Sequence, residues 1–280
     1  MSVYEIGQPA MKCYHCKSTN LLHLKDKTSL GYEQYRCREC NRRFNERTGT
    51  RFNRLQYPGD IVMLAVLYYI KYKLSYRDVS EIFLERGFQI CHEEIRRWAI
   101  LFSSEITLSL RKRRKKKSIG IWHTDETYIT VKGVWKYLYR CIDNNGELVD
   151  CYLSNRRNAA AATQFFKGTR DVIKKWPREI NTDGHCCYAI AVKRVLPKKI
   201  KHNVLKNKNN MIEQSHRQIK QWYYPMKGFG NFDVASMLCN FHEEVNNLFR
   251  PTKKRNQYLS LNTRREIFLE RLCVFKSLFA

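Results

Sequence analysis

The residues from Ile121 to Val131, IWHTDETYITV, place two adjacent carboxylates inside a run of aromatic and β-branched side chains. Such a run predicts a β-strand. A buried carboxylate with neither a cation nor a metal beside it is costly, so this strand needs a partner for its acidic pair. Because successive strand residues point to opposite faces, we predict that Asp125 and Glu126 do not share one site and that one of them faces a metal.

Basic residues outnumber acidic ones by 52 to 26, and the net charge is +26. This excess predicts a polyanionic partner, and nucleic acid fits best; ribosomal-type or membrane-surface binding is the alternative. The longest apolar run, Ile61 to Ile70, is too short to span a bilayer. Residues 1–12 lack the apolar core of a signal peptide, so we expect the eleven cysteines to be reduced thiols or metal ligands.

Two Cys-x-x-Cys pairs stand near the start of the chain, Cys13 with Cys16 and Cys37 with Cys40. Four thiolates at this spacing predict a closed, tetrahedral Zn²⁺ site with a structural role. The metal would stabilise a module too small to hold together by its own core, so we predict a zinc ribbon over residues 11–50. The alternative is a set of four free, buried cysteines.

Residues 55–108 have the pattern of an all-α segment with a helix-turn-helix. Ser75 is a favourable N-cap for one of its helices. A further helix is predicted from about Cys91 to Phe102, with Arg96 and Arg97 off the apolar face and available to DNA. A packing subdomain without DNA contacts is the alternative interpretation.

Seven consecutive basic residues follow, from Arg111 to Lys117. Because like charges repel, they predict an extended basic linker over residues 109–118 that follows DNA phosphates. A nuclear-localisation signal is the other interpretation of such a run. The side chains assigned to DNA in this linker are Arg111, Lys112, Arg113, Arg114 and Lys115.

Residues 119–250 predict three strands, a helix, a strand, a helix, a strand and a helix, in that order. This is the element order of an α/β ribonuclease-H-like core with a five-stranded mixed sheet. Asp183 follows the fourth strand, at the end where open α/β sheets place their sites. On the last helix, Glu213, Arg217 and Lys220 share one face, which offers a carboxylate beside two phosphate-binding cations.

Five segments carry a resemblance to a known family: WHTDETYITVKGVWKYLYRCID, LSNRRNAAAATQFF, INTDGHCCYA, NNMIEQSHRQIKQW and YYPMKGFGNF. Together they resemble DDE transposases of bacterial insertion sequences, most of all the insertion-sequence-six group with its integrase-like catalytic core. The earlier LSYRDVSEIFLERGFQICHEEIRRW resembles the helix-turn-helix of that group. We therefore expect a multi-domain protein of zinc ribbon, helix-turn-helix and ribonuclease-H-like core. Residues 251–280 predict a C-terminal helical tail, for packing or dimerisation.

The resemblance implies that Asp125, Asp183 and Glu213 form the catalytic triad. These carboxylates would bind two Mg²⁺ or Mn²⁺ ions per active site, a number that suits in-line displacement at phosphorus. Glu126 is then the neighbour that faces away. The resemblance also implies DNA contacts from three residues of the last helix, namely His216, Arg217 and Lys220.

The implied function is that of a DNA transposase, which cleaves a strand of an insertion sequence and transfers it to target DNA. The partners would be double-stranded DNA, as terminal inverted repeats and as target, and a second copy in a homodimer. We expect a cytoplasmic, nucleoid-associated protein without membrane contact. Asp183 and Glu213 are separated by 29 residues, fewer than is usual in the group. Two alternatives stay open: a catalytically inactive, transposase-derived sequence-specific DNA-binding protein, and a zinc-ribbon nuclease of the ribonuclease-H class.

Overall fold

A computed structural model describes residues 11–114, 120–205, 210–250 and 258–279. The chain divides into two compact units, Met1–Val62 and Met63–Ala280. Across the described ranges, no helix combines the length and the apolar character needed to cross a membrane.

The first unit contains a small antiparallel sheet of three strands, β1 (Leu21–Leu24), β2 (Gln34–Cys37) and β3 (Arg43–Phe44). Its hydrophobic core is small, with Phe44 and two of the four predicted zinc ligands as its buried members. Tyr35 stacks on Phe44, with ring centroids 5.8 Å apart. A sheet of this size buries little apolar area, so it requires a further source of stability.

Three helices follow: α1 (Gly59–Lys71), α2 (Tyr76–Glu85) and α3 (His92–Arg114). Ser75 caps α2 through a capping box, in which its side chain accepts from the Asp78 N–H and Asp78 accepts from the Ser75 N–H. Between α2 and α3, Gly87 has a φ of +83°, a conformation that favours glycine.

Helix α3 continues to Arg114, well beyond the end predicted near Phe102, so Arg111–Arg114 are helical and not extended. The prediction of an extended linker is wrong for these four residues, and the last residues of the predicted linker, 115–118, lie outside the described residues. The physical reason is that the charges of Arg111 and Arg114 are compensated from elsewhere in the chain.

Two buried carboxylates provide this compensation. The side chains of Asp150 and Glu244 are 5% and 1% exposed. Arg111 contacts both, with its Nη2 3.0 Å from an Asp150 oxygen and its Nε 3.2 Å from a Glu244 oxygen. Arg114 Nη2 lies 2.6 Å from the same Glu244 oxygen. These ion pairs attach the end of α3 to the strand Leu148–Ser154 and to helix α7 (Phe232–Phe249).

Glu244→Ala is expected to lower the free energy of unfolding by about 3–5 kcal/mol, because it leaves a buried guanidinium without its carboxylate. Chemical denaturation of the two proteins measures the difference. Glu266→Ala is the matched control, since Glu266 is exposed on the C-terminal helix. An equal loss of unfolding free energy in both variants would contradict a stabilising role for this buried ion pair.

The second unit is organised around a five-stranded mixed sheet with the order β6-β5-β4-β7-β8. Strand β5 runs antiparallel to both β4 and β6, whereas β7 is parallel to β4 and β8 to β7. Their bounds are Ile121–Val131, Val134–Asp143, Leu148–Ser154, Glu179–Thr182 and Lys201–Val204. The predicted five-stranded mixed sheet and the predicted order of its strands and helices are confirmed.

Helices cover both faces of this sheet. On one face, α4 (Ala159–Ile173) and α5 (Cys186–Val195) form a hydrophobic core with Trp122 of β4 and Tyr139 of β5. On the other face lie α6 (Asn210–Tyr223) and α7, and the Thr130 N–H of β4 donates to the Tyr223 hydroxyl at 2.6 Å. The site residues therefore sit on a scaffold that is packed from both sides.

The C-terminal segment contains helix α8 (Leu261–Ser277). Its buried residue Phe275 packs against Phe249 at the end of α7, with ring centroids 6.1 Å apart. Part of the helix is thus a packing element of the same unit, although Leu261 and Leu269 remain exposed.

Candidate active site

Strand pairing brings two of the three predicted catalytic carboxylates together. Asp125 lies in the middle of β4, and Asp183 directly follows the last residue of β7. The parallel register pairs His123 of β4 with Asn181 of β7. Asp125 and Asp183 each lie two residues further on in the same direction, so they come side by side. Carboxylate oxygens of these residues and of Glu126 lie within 4.8 Å of one another, an arrangement that could hold a metal ion.

Glu126 belongs to this cluster, which the sequence did not predict. The alternation of the strand does turn it toward α4 and α5, where the Tyr188 hydroxyl of α5 donates to its Oε2. Its Oε1 forms an ion pair with Nε of Arg157. Because its side chain is long, its carboxylate nevertheless reaches the edge where Asp125 and Asp183 meet. The prediction that Glu126 faces away from the site is therefore corrected.

Arg157 is the second site residue that the prediction missed. It precedes α4, and its Nη2 lies 3.5 Å from an Asp183 oxygen while its Nε pairs with Glu126. The signal was present in the sequence, because Arg157 lies within the LSNRRNAAAATQFF segment that carries the family resemblance.

Glu213 is exposed on the first turn of α6 and is not one of the three clustered carboxylates. Residues 206–209, just before this helix, lie outside the described residues. The charge of Glu213 still acts on Asp125, since it is among the causes that raise the pKa of that residue. Its helix is attached to the sheet beside Asp125, because Arg140, the β5 partner of Asp125, donates to Ser215 Oγ at 2.7 Å.

Burial and negative neighbours raise the pKa of Asp125 to about 7. Burial is the largest cause, followed by the charge of Glu126; the charges of Asp183 and Glu213 add to it. A bound cation would reverse this effect by favouring the ionised carboxylate. The site therefore has the electrostatic character of a cation-binding pocket.

A pH dependence of stability follows from this raised pKa. The folded value lies above the ordinary 3.8, so ionised Asp125 destabilises the fold, and stability is lost as pH rises through about 7. We expect Asp125→Asn to be more stable than the native chain at about pH 8.5 and the gap to shrink at about pH 5. Thermal unfolding of both proteins in Mg²⁺-free buffer measures this difference in stability. A gap independent of pH would contradict the prediction, and added Mg²⁺ should narrow the gap at high pH.

The four cysteines of the first unit form a second candidate metal site. The Sγ atoms of Cys13 and Cys40 are 3.6 Å apart, and those of Cys16 and Cys37 are 3.4 Å apart. Zn–S bonds of about 2.3 Å in a tetrahedron require sulfur atoms about 3.8 Å apart, so the cluster fits Zn²⁺. The backbone N–H of Cys40 lowers the pKa of Cys37, which favours the thiolate that a metal binds.

The predicted DNA-binding residues fall into two groups. Six have side chains that are exposed or half-buried: Arg96, Arg97, Lys112, Arg113, Arg217 and Lys220. Arg111 and Arg114 instead make the internal ion pairs described above, and Lys115 lies outside the described residues. His216 is buried, and burial lowers its pKa to about 3, so this side chain is neutral and turned away from solvent.

The chain is similar to known proteins over more than half of its length. A family described as a DDE domain matches residues 120–252. The transposase for insertion sequence-like element IS431mec of Staphylococcus aureus is 39% identical over 175 residues, which cover 60% of this chain and 76% of that protein. The transposase for insertion sequence element IS257 in transposon Tn4003, also from Staphylococcus aureus, is 38% identical with the same coverage.

Solved structures of viral integrases are also similar. The HTLV-2 integrase catalytic core domain in complex with magnesium, in its trimeric form, is 16% identical with a TM-score of 0.38, covering 55% of this chain and 99% of that chain. The catalytic core domain of BIV integrase is 15% identical with a TM-score of 0.35, covering 55% of this chain and 96% of that chain.

Proposed function

This chain belongs to the DDE transposases of bacterial insertion sequences, in the insertion-sequence-six group, and we propose that Asp125, Asp183 and Glu213 are its catalytic carboxylates. It is a polynucleotidyl transferase that acts on DNA. The observation that carries the proposal is the meeting of Asp125 and Asp183 at the edge of the sheet, with the helix of Glu213 attached beside them.

The carboxylate set suits Mg²⁺ or Mn²⁺, which prefer oxygen ligands. Two such ions would activate the attacking oxygen and stabilise the leaving one in an in-line displacement at phosphorus. Asp125 and Asp183 would hold one ion between them, and Glu213 would complete the second position. Attack by water frees a 3′-OH at the element end, and that 3′-OH then attacks target DNA, so no covalent protein intermediate is required.

The proposed organisation follows from the elements. Residues 11–50 act as a zinc ribbon with a structural Zn²⁺ on Cys13, Cys16, Cys37 and Cys40. Residues 55–108 act as the helix-turn-helix that binds the terminal inverted repeats. Residues 119–250 form the catalytic domain, and two copies hold the two element ends in a homodimer. Two cations of α6, the exposed Arg217 and the half-buried Lys220, support contacts to DNA beside the reacting bond.

Replacing both Arg96 and Arg97 by Ala is expected to weaken binding of terminal-repeat DNA by about tenfold and to reduce the salt slope by about 1–2. Both side chains are exposed on the first turns of α3, and Arg96 is held by Glu93 at 2.8 Å. Fluorescence anisotropy at several salt concentrations measures both quantities. Arg264→Ala, on exposed α8, is the control, and equal losses in the two proteins would count against the helix-turn-helix.

The function is tested by incubating the full chain with terminal-repeat DNA, target DNA and Mg²⁺. We expect cleavage at the element end followed by joined products. Cleavage without joining would favour the nuclease alternative, and binding without cleavage would favour the inactive DNA-binding protein.

A further inference from the structure

Both oxygens of the Glu126 carboxylate already have partners. Oε1 pairs with Nε of Arg157, and Oε2 accepts from the Tyr188 hydroxyl. The Glu126 side chain is only 3% exposed, and burial raises the pKa of Tyr188 well above its ordinary value, so this hydroxyl keeps its proton and remains a donor. Glu126 is thus occupied as an acceptor by two side chains, whereas Asp183 accepts from the His185 N–H through Oδ1 and lies 3.5 Å from Arg157 Nη2 through Oδ2.

Arg157 is held between Glu126 and the site, and it is only partly buried. Its side chain is 29% exposed, and its contacts to Glu126 and Asp183 use Nε and Nη2. An arginine has five N–H donors in a planar fork, so donors remain for a further acceptor. The 3.5 Å separation from Asp183 is long for a hydrogen bond, whereas the pairing with Glu126 is close.

The backbone around Arg157 is also fixed. The next residue, Asn158, caps α4 by accepting from the Ala161 N–H at 2.9 Å. On the other side, the Ser154 hydroxyl accepts from the Arg156 N–H and donates to its carbonyl oxygen. The residues on both sides of Arg157 are therefore held by hydrogen bonds, and this restricts the position of its guanidinium.

From these contacts, and resting on the proposed function, we propose that Arg157 contacts a non-bridging oxygen of the scissile phosphate. Glu126 and Tyr188 are positioning residues that hold its guanidinium there, and Glu126 is not a metal ligand. The transferring phosphate gains negative charge on its oxygens, and a fixed arginine fork stabilises that charge. Pairing with Glu126 also keeps the arginine from neutralising the metal-binding carboxylates completely.

The test compares Arg157→Gln, Arg157→Lys and Glu126→Gln with the native chain. Arg156→Gln is the matched control, because the neighbouring Arg156 is exposed. Single-turnover cleavage at saturating terminal-repeat DNA gives the rate, anisotropy gives DNA affinity, and Mn²⁺ binding without DNA is counted by electron paramagnetic resonance. Thermal unfolding checks that each variant is folded.

Arg157→Gln is expected to reduce the cleavage rate by about 10²–10³-fold while DNA affinity changes by less than about threefold. Arg157→Lys, which keeps the charge and guards against a folding defect, should recover part of the rate. Glu126→Gln should reduce the rate and leave the number of bound Mn²⁺ ions unchanged. Arg156→Gln should match the native chain in rate.

Two results would overturn the inference. One is an Arg157→Gln rate no lower than that of Arg156→Gln, and the other is loss of a bound Mn²⁺ in Glu126→Gln, which would make Glu126 a ligand. The variant Asp125→Asn distinguishes a failure of the Arg157 inference from a failure of the proposed function. If Asp125→Asn keeps its Mn²⁺ ions and its activity, the catalytic assignment is wrong whatever Arg157 does.

Discussion

Asp125→Asn is expected to reduce DNA cleavage and strand transfer by at least about 10³-fold, with DNA binding retained. The substitution keeps the shape of the side chain but removes one of the two carboxylates that meet where the middle of β4 lies beside the end of β7. It also removes a carboxylate whose ionisation is opposed by burial and by the charge of Glu126, so the folded chain should not be weakened. Gel assays with labelled terminal-repeat DNA and Mg²⁺ measure both reactions.

Glu213→Gln is expected to give a loss of similar size, because the proposed second metal position depends on it. The control is Gln214→Ala, which changes the exposed neighbour on the same turn of α6. Full activity of Glu213→Gln would remove this residue from the triad and make the three-carboxylate cluster of the sheet edge the whole metal site. Full activity of Asp125→Asn would remove catalysis from this edge altogether.

Removal of Zn²⁺ is expected to unfold the three-stranded sheet of the first unit. Structural zinc contributes about 10 kcal/mol or more to domains of this kind, and the apolar core here is small. Limited proteolysis with and without a chelator should show new cuts between residues 11 and 50, while fragments of the second unit remain protected. Cys37→Ser, which removes one ligand, should give the same pattern at full zinc concentration.

Cys273→Ser is the control for this experiment, because Cys273 is an exposed cysteine on α8 outside the cluster. It should leave proteolysis and zinc content unchanged. A first unit that resists protease equally well after zinc removal would contradict a structural role for the metal.

Local patterns predicted the catalytic domain closely because its elements are determined by neighbouring residues. The strand inferred from IWHTDETYITV has the same bounds in the structure, Ile121–Val131. The last helix, predicted to carry Glu213, Arg217 and Lys220 on one face, is observed at Asn210–Tyr223. In both cases the periodicity of apolar side chains and a nearby turn or proline carry the information.

The errors arose where the decisive partner is distant in the sequence. The charge of Arg111 is compensated by Asp150, 39 residues away, and that of Arg114 by Glu244, 130 residues away. Because of these pairs, the first part of the basic run is helical although its charges repel one another. Glu126 was assigned correctly to its face, but its partner Tyr188 is 62 residues away. No local pattern reports such pairs, because each member alone has the appearance of an ordinary surface charge or core residue.

The continuity of α3 has a mechanical consequence. Its 23 residues span about 34 Å at 1.5 Å per residue, and they join the exposed Arg96 and Arg97 to the ion pairs of Arg111 and Arg114. A duplex seated on the first turns would be held at a set distance from the catalytic sheet, since the helix between them has no hinge. The length of α3 would then fix the number of base pairs between the recognised sequence and the bond that is cleaved.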